Sequence, residues 1–137
     1  EVVEKAMQYT QHEMKTYFVL ESLDTLRKNG RLSGLQAFFA TTLNIKPVMG
    51  ADKGNIIKLD QARGINKALV RMCELAVKEA KNPETLRVIV AHCNNEARAQ
   101  LVKEELSKRA PFKEIIVTET AGVATVYAND GGIILAL

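Results

Sequence analysis

Arg31 is the side chain in this sequence best placed to do chemistry. It stands in the run Leu26-Arg27-Lys28-Asn29-Gly30-Arg31-Leu32-Ser33-Gly34, followed by Asn44-Ile45-Lys46-Pro47. Gly30 can close one helix and Ser33 can cap the next, which pins Arg31 in the joint between them. A guanidinium offers five donors in a rigid fork and keeps its charge when partly desolvated, so an arginine held there is a natural receptor for an oxyanion. The N–H groups at the helix start after Ser33 add a dipole of the right sign. Residue types leave a second reading open, in which Arg31 binds helix-terminal carbonyls or a local carboxylate.

The other positions with chemical potential are weaker. Asp130-Gly131-Gly132 precedes the last apolar run. Paired glycines there let a ligand approach the backbone, or simply make a tight turn. His12, His92 and Cys93, with Asp60 and Glu119 as oxygen donors, have no metal-ligand spacing. No serine lies on a nucleophile elbow, and no dinucleotide or P-loop glycine pattern occurs. Glu104-Glu105 fit the solvated face of a helix rich in Lys and Glu. The reading is of no catalytic residue and no metal.

The chain that must position these residues has 137 of them, the size of one domain. Its net charge of +3 is spread with no block of five like charges, and it has no Trp, so neither a basic footprint nor a stacking platform for nucleic acid is present. Cys73 and Cys93 lack a framework spacing, which predicts free buried thiols and a reducing, cytoplasmic setting. No run of 18 apolar residues supplies a transmembrane segment, and residues 1–20 do not read as a signal peptide. The chain opens in mid-helix without an initiator Met, and is expected to be a piece of something longer.

Periodicity predicts a helix over residues 1–15, a buried strand at Tyr17–Leu20, and two short helices capped by Ser22 and Ser33. Pro47–Met49 and Asn55–Leu59 flank a loop containing Asp52 and Gly54 and predict a hairpin. A long helix is expected over 62–81, stopped by Asn82-Pro83. Arg87–His92, a helix capped by Asn94 or Asn95 with inner residues Ala97, Leu101, Val102 and Leu106, and Ile115–Val117 make a strand–helix–strand crossover. Gly122–Asp130 reads as a short helix or turn, and the last run suits a central strand covered on both faces. The pattern is that of an α/β or α+β-like domain, two or three layers with a mixed sheet.

Here a resemblance adds to the spacing. Leu23-Asp24-Thr25-Leu26-Arg27-Lys28-Asn29-Gly30-Arg31-Leu32-Ser33 resembles the signature L-x-x-L-x-x-G-G-R-[IL]-S of the DegV family of bacterial fatty-acid-binding proteins. Leu43-Asn44-Ile45-Lys46-Pro47, Asp52-x-Gly54 and Arg63-Gly64 follow in that family's order, and Gly122–Leu137 is similar to its glycine-rich end motif. The resemblance covers the chain but only the C-terminal domain of a two-domain α/β protein. It implies a non-catalytic carrier without cofactor, whose long-chain fatty acid is presented to a separate fatty-acid kinase for phospholipid synthesis. The N-terminal domain would supply Ser/Thr hydroxyls to the carboxylate, assisted here by Arg31 and Ser33.

The family's end-motif histidine falls on Ala128, beside the loop Asn129, Asp130, Gly131 and Gly132; Val123 stands for a proline and Asn29 for a glycine. A methyl group donates nothing to a carboxylate, while an acyl tail still gains about 0.8 kcal/mol per buried CH₂. Leu35, Phe38, Phe39, Ile133 and Leu135 are the expected tail lining. Two other readings compete: a DegV-like domain kept for structure or protein interaction with weak or altered ligand binding, and an enzyme acting on a small anion through Arg31. An apolar tunnel favours the carrier, a closed interdigitated core the interaction domain, and a polar cleft joining Arg31, His92 and a carboxylate the enzyme.

Overall fold

The structure, a computed structural model, describes residues 3–4, 15–20, 45–52, 55–120 and 131–137. The expected elbow of two short helices and the 122–130 turn lie outside these residues, as does most of the first helix, of which Val3 and Glu4 are helical. The described strands are β1 (Thr16–Val19), β2 (Ile45–Asp52), β3 (Asn55–Arg63), β4 (Arg87–His92), β5 (Glu114–Glu119) and β6 (Ile133–Ala136). They form one mixed sheet in the order β3-β2-β1-β6-β4-β5. Helices α1 (Ile65–Glu79) and α2 (Glu96–Arg109) contact the sheet and each other.

The predicted hairpin forms and runs further than its apolar cores, pairing Ile45 with Arg63 and Asp52 with Asn55. A register shift between Val48 and Met49 leaves Leu59 as the extra residue of β3. Leu59 then leans on Gly50, where an added Cβ would sit 2.8 Å from Leu59 Cδ1 and 3.4 Å from the Thr16 carbonyl oxygen. A side chain there would require Leu59 to shift its rotamer. β1 reaches β2 only through Tyr17–Gly50 and Phe18–Met49, so Pro47 lies beyond that ladder, where a missing N–H interrupts nothing on that side.

Because β3 continues through Arg63, α1 begins three residues later than periodicity suggests. Gly64, at φ 87°, turns the chain from strand into helix. Ala68, Leu69, Met72, Cys73 and Ala76 make the buried stripe of α1. Asn95 caps α2, its Oδ1 accepting from the Arg98 N–H at 3.1 Å. Ala99, Val102 and Leu106 face inward, Leu101 is half-buried, and Ala97, expected inside, is exposed. The crossover is confirmed, with β4 and β5 parallel from Arg87–Glu114 to His92–Glu119.

β6 is central, antiparallel to both β1 and β4. Only one of its faces is fully covered. Ile133 and Leu135 join Tyr17, Val19, Val88 and Val90 under Leu69, Met72, Val102 and Leu106 in a single core. Ile134 and Ala136 are half-buried, which corrects the expectation of a strand buried on both sides. Cys73 and Cys93 are buried thiols with no disulfide between them.

Candidate functional site

A chain of polar contacts runs where β4 ends and α2 begins. His92 is 5% exposed, and its Nδ1 accepts the Asn95 N–H at 3.1 Å. An imidazole that accepts at Nδ1 has Nε2 left as its donor nitrogen. Asn95 in turn caps Arg98, and Arg98 Nη1 donates to the Gly131 carbonyl at 2.9 Å. Side chains project back toward the start of their helix, so the residue three past a cap can reach over the strand end that precedes it.

The glycine pair meets β4 in a bulge. Gly131 N–H donates to the Cys93 carbonyl at 2.7 Å, and Cys93 N–H donates to the Gly132 carbonyl at 3.0 Å. Two residues thus face one, with Gly131 at φ 89°, the geometry of a glycine-led bulge. Gly131 and Gly132 are both buried. Thr120 N–H donates to the His92 carbonyl at 2.8 Å and ties the end of β5 to the same corner. The whole sits at the C-terminal edge of two parallel strands and beside a helix N-terminus, the position where open α/β sheets receive ligands.

Of the residues singled out from the sequence, Gly131 and Gly132 are brought into this corner. Arg31, Ser33, Leu35, Phe38, Phe39, Ala128, Asn129 and Asp130 lie outside the described residues. Ile133 and Leu135 are fully buried among core side chains, and a tail lying against them would have to displace that packing. Sequence reasoning missed Arg98 altogether. Its only signal was its place three residues after an Asn cap that follows a strand.

The face of the sheet opposite the core presents two cross-strand rows. One joins Phe18, Ile134, Ala91 and Thr118, and the other Thr16, Ala136, Ile89 and Ile116. Exposure rises across them, from Met49 opposite Phe18, which is fully buried, to Ile89 at 44% and Ile116 at 40%. An Arg87–Glu114 ion pair at 3.4 Å borders this face.

Two further places carry less. A pocket of about 170 Å³ is bordered by Tyr17, Gly50, Leu59 and Glu79, with Tyr17 OH donating to Glu79 at 2.8 Å. Burial, then the Glu79 carboxylate, push the Tyr17 phenol above its ordinary range. Ligand pockets are commonly about 300–1,000 Å³, so this one is too small for a long acyl chain. Burial pushes the Cys73 thiol up to about 12, so it is no nucleophile at neutral pH. No cluster of three or more His, Cys, Asp or Glu able to hold a metal occurs among the described residues. No helix among them is long and apolar enough to cross a membrane.

Comparison with known proteins gives a consistent result. A family model described as "Uncharacterised protein, DegV family" matches residues 1–136. A DegV domain-containing protein of Streptococcus pneumoniae is 34% identical over 136 residues, covering 98% of this chain and 47% of that protein. A DegV family protein from Ruminococcus gnavus, solved with vaccenic acid, superposes with a TM-score of 0.92 at 47% identity, covering 99% of this chain and 48% of that one. The Streptococcus pneumoniae Fatty Acid Kinase (Fak) B3 protein, loaded with linoleic acid, gives 0.83 at 31% identity, covering 98% and 48%. The chain spans about half the length of the relatives it matches.

Proposed function

The chain belongs to the DegV family, and from that premise we propose that it is the C-terminal domain of a two-domain cytoplasmic carrier. The carrier binds a long-chain fatty acid and presents its carboxylate to a separate fatty-acid kinase. The observation that carries this reading is the likeness at 47% identity to a protein solved with vaccenic acid. The likeness to a kinase-associated protein loaded with linoleic acid supports the partner.

In this reading Arg31 and Ser33 meet the carboxylate, with hydroxyls from the N-terminal domain. The glycine bulge at Gly131–Gly132 supplies the adjoining backbone, and Ala128 leaves one family donor unreplaced. Leu35, Phe38 and Phe39 remain tail-lining residues. Because Ile133 and Leu135 are closed into the core, the described part of the tail's bed is the opposite face, with Ile134, Ala136 and Ile89. Native mass spectrometry of the whole polypeptide should show a co-purified long-chain fatty-acid mass. Calorimetry below the micelle concentration should show uptake of added fatty acid. Absence of both sinks the reading.

The closed packing of Ile133 and Leu135 favours a second reading, a DegV-like domain retained for structure or protein interaction. It expects no acyl mass and no heat with fatty acid.

A further inference from the structure

Arg98 has no role in the reading above, yet its side chain reaches the first of the two end-motif glycines among the described residues. We propose that Arg98 is a positioning residue that fixes and polarises the Gly131–Gly132 peptide, making its N–H a donor to the carboxylate of the bound fatty acid. The inference rests on the fatty-acid reading.

The peptide has two ends. Its carbonyl, on Gly131, receives the Arg98 guanidinium at 2.9 Å. Its N–H, on Gly132, finds no acceptor among the described residues, although Gly132 is buried. A buried N–H without a partner is rare and costly, and calls for an explanation from ligand, water or function. A cation on the carbonyl draws electron density along the peptide and strengthens the N–H as a donor, an effect enhanced away from bulk water. The bulge holds the unit from below, since Gly131 N–H and the Gly132 carbonyl are both spent on Cys93. The arginine is held in its turn by the Asn95 cap, which His92 steadies. Within the bulge the Gly131 N–H, the Gly131 carbonyl and the Gly132 carbonyl each have a partner, and among the described residues the Gly132 N–H does not.

The test uses the whole polypeptide with oleic acid and oleyl alcohol as probes. The alcohol has the same tail and no charge. Arg98→Ala should weaken oleate binding by about tenfold, the scale of one charge-assisted hydrogen bond. Oleyl alcohol should lose less than about twofold, and Arg98→Lys should restore only part of the loss, because an ammonium lacks the planar fork. In the unaltered protein the Gly132 amide proton should move downfield with oleate and stay in place with the alcohol. Equal weakening of both ligands would assign Arg98 to structure and overturn the proposal. So would a Gly132 amide indifferent to oleate while other resonances report its binding; this arm holds even if Arg98→Ala fails to fold. A protein that binds neither ligand removes the fatty-acid reading itself, and this inference with it.

Discussion

Ile133 and Leu135 are wholly withdrawn from solvent beneath two helices, whereas Ile134 and Ala136, on the same strand, are only half-buried. The row of Ala136 continues to Ile89 and Ile116, each about two-fifths exposed. Along β6 both faces are apolar, and they differ in what covers them. Apolar side chains under helices hold a fold together, while a contiguous apolar stretch left open marks a contact surface. The covered face is therefore read as scaffold and the open one as the place where an apolar ligand gains from contact.

Truncation in the core should separate the faces most. Leu135→Ala should cost about 2–5 kcal/mol, the range for removing a packed leucine and leaving a cavity. Ile134→Ala, one residue away, should cost well under half as much, because its side chain is already partly wet. Urea unfolding with an unchanged slope measures both. Equal losses would break the distinction between the faces.

Alkaline titration asks how dry the covered face is. The Cys73 thiol is pushed up to about 12, chiefly by burial and then by the Glu105 charge. Unfolded thiols titrate near about 8.5, so above that pH the unfolded chain sheds a proton which the folded chain keeps. Stability present below that pH should fall as pH rises toward 12. Tyr17, raised in the same sense, adds to the fall above about 10, the ordinary phenol value. Cys73→Ala should be flatter between these limits in pH-dependent unfolding, whatever its stability at neutral pH. An unchanged slope would show that this face admits water.

On the open face the readout changes from stability to binding. Ile89→Thr keeps a β-branched residue that suits the strand. It should move unfolding by less than about 1 kcal/mol, since surface changes are small. If the tail lies there, affinity for oleic acid and oleyl alcohol should fall together, by about tenfold at most for one exposed apolar contact. Loss for the acid alone would move the site from tail to head group.

The difference between the faces was only half legible in the sequence. The 3.6-residue stripe found α1. The crossover and its parallel register followed from a strand–helix–strand of about thirty residues. In Ile133-Ile134-Leu135-Ala136, however, every residue is apolar, so no period distinguishes the two sides. The start of α1 was displaced because β3 had a partner strand to follow, a tertiary preference that local pattern does not carry. Ala97 was placed inside because it lies one turn before Leu101, but that flank is only half-buried and the buried stripe runs through Ala99, Val102 and Leu106. Arg98 was invisible since its meaning depends on Gly131, 33 residues away, being delivered to the end of β4. The anion-receiving Arg31 was legible only as a motif.

The smallest effect expected lies at the margin of the covered face, where β3 meets α1. Asp60 accepts the Gln61 N–H at 2.7 Å and is bound by the Arg71 guanidinium. These two contacts, in that order, hold its carboxyl below the usual carboxylate range. The sign is opposite to that of Cys73. Stability from this group is present above the unfolded value of about 3.9 and is lost as pH falls through the lower folded value. Arg71 also reaches Glu74 at 2.7 Å, so protonating Asp60 leaves it one partner. The site is half in water, where such pairs contribute about 0.2–1 kcal/mol and weaken with salt. Asp60→Asn should therefore cost a few tenths of a kcal/mol at neutral pH by urea unfolding, and lose that difference as pH falls below the usual carboxylate range. A cost nearer to that of Leu135→Ala would mean the hairpin's grip on α1, rather than the shared core, keeps the covered face closed.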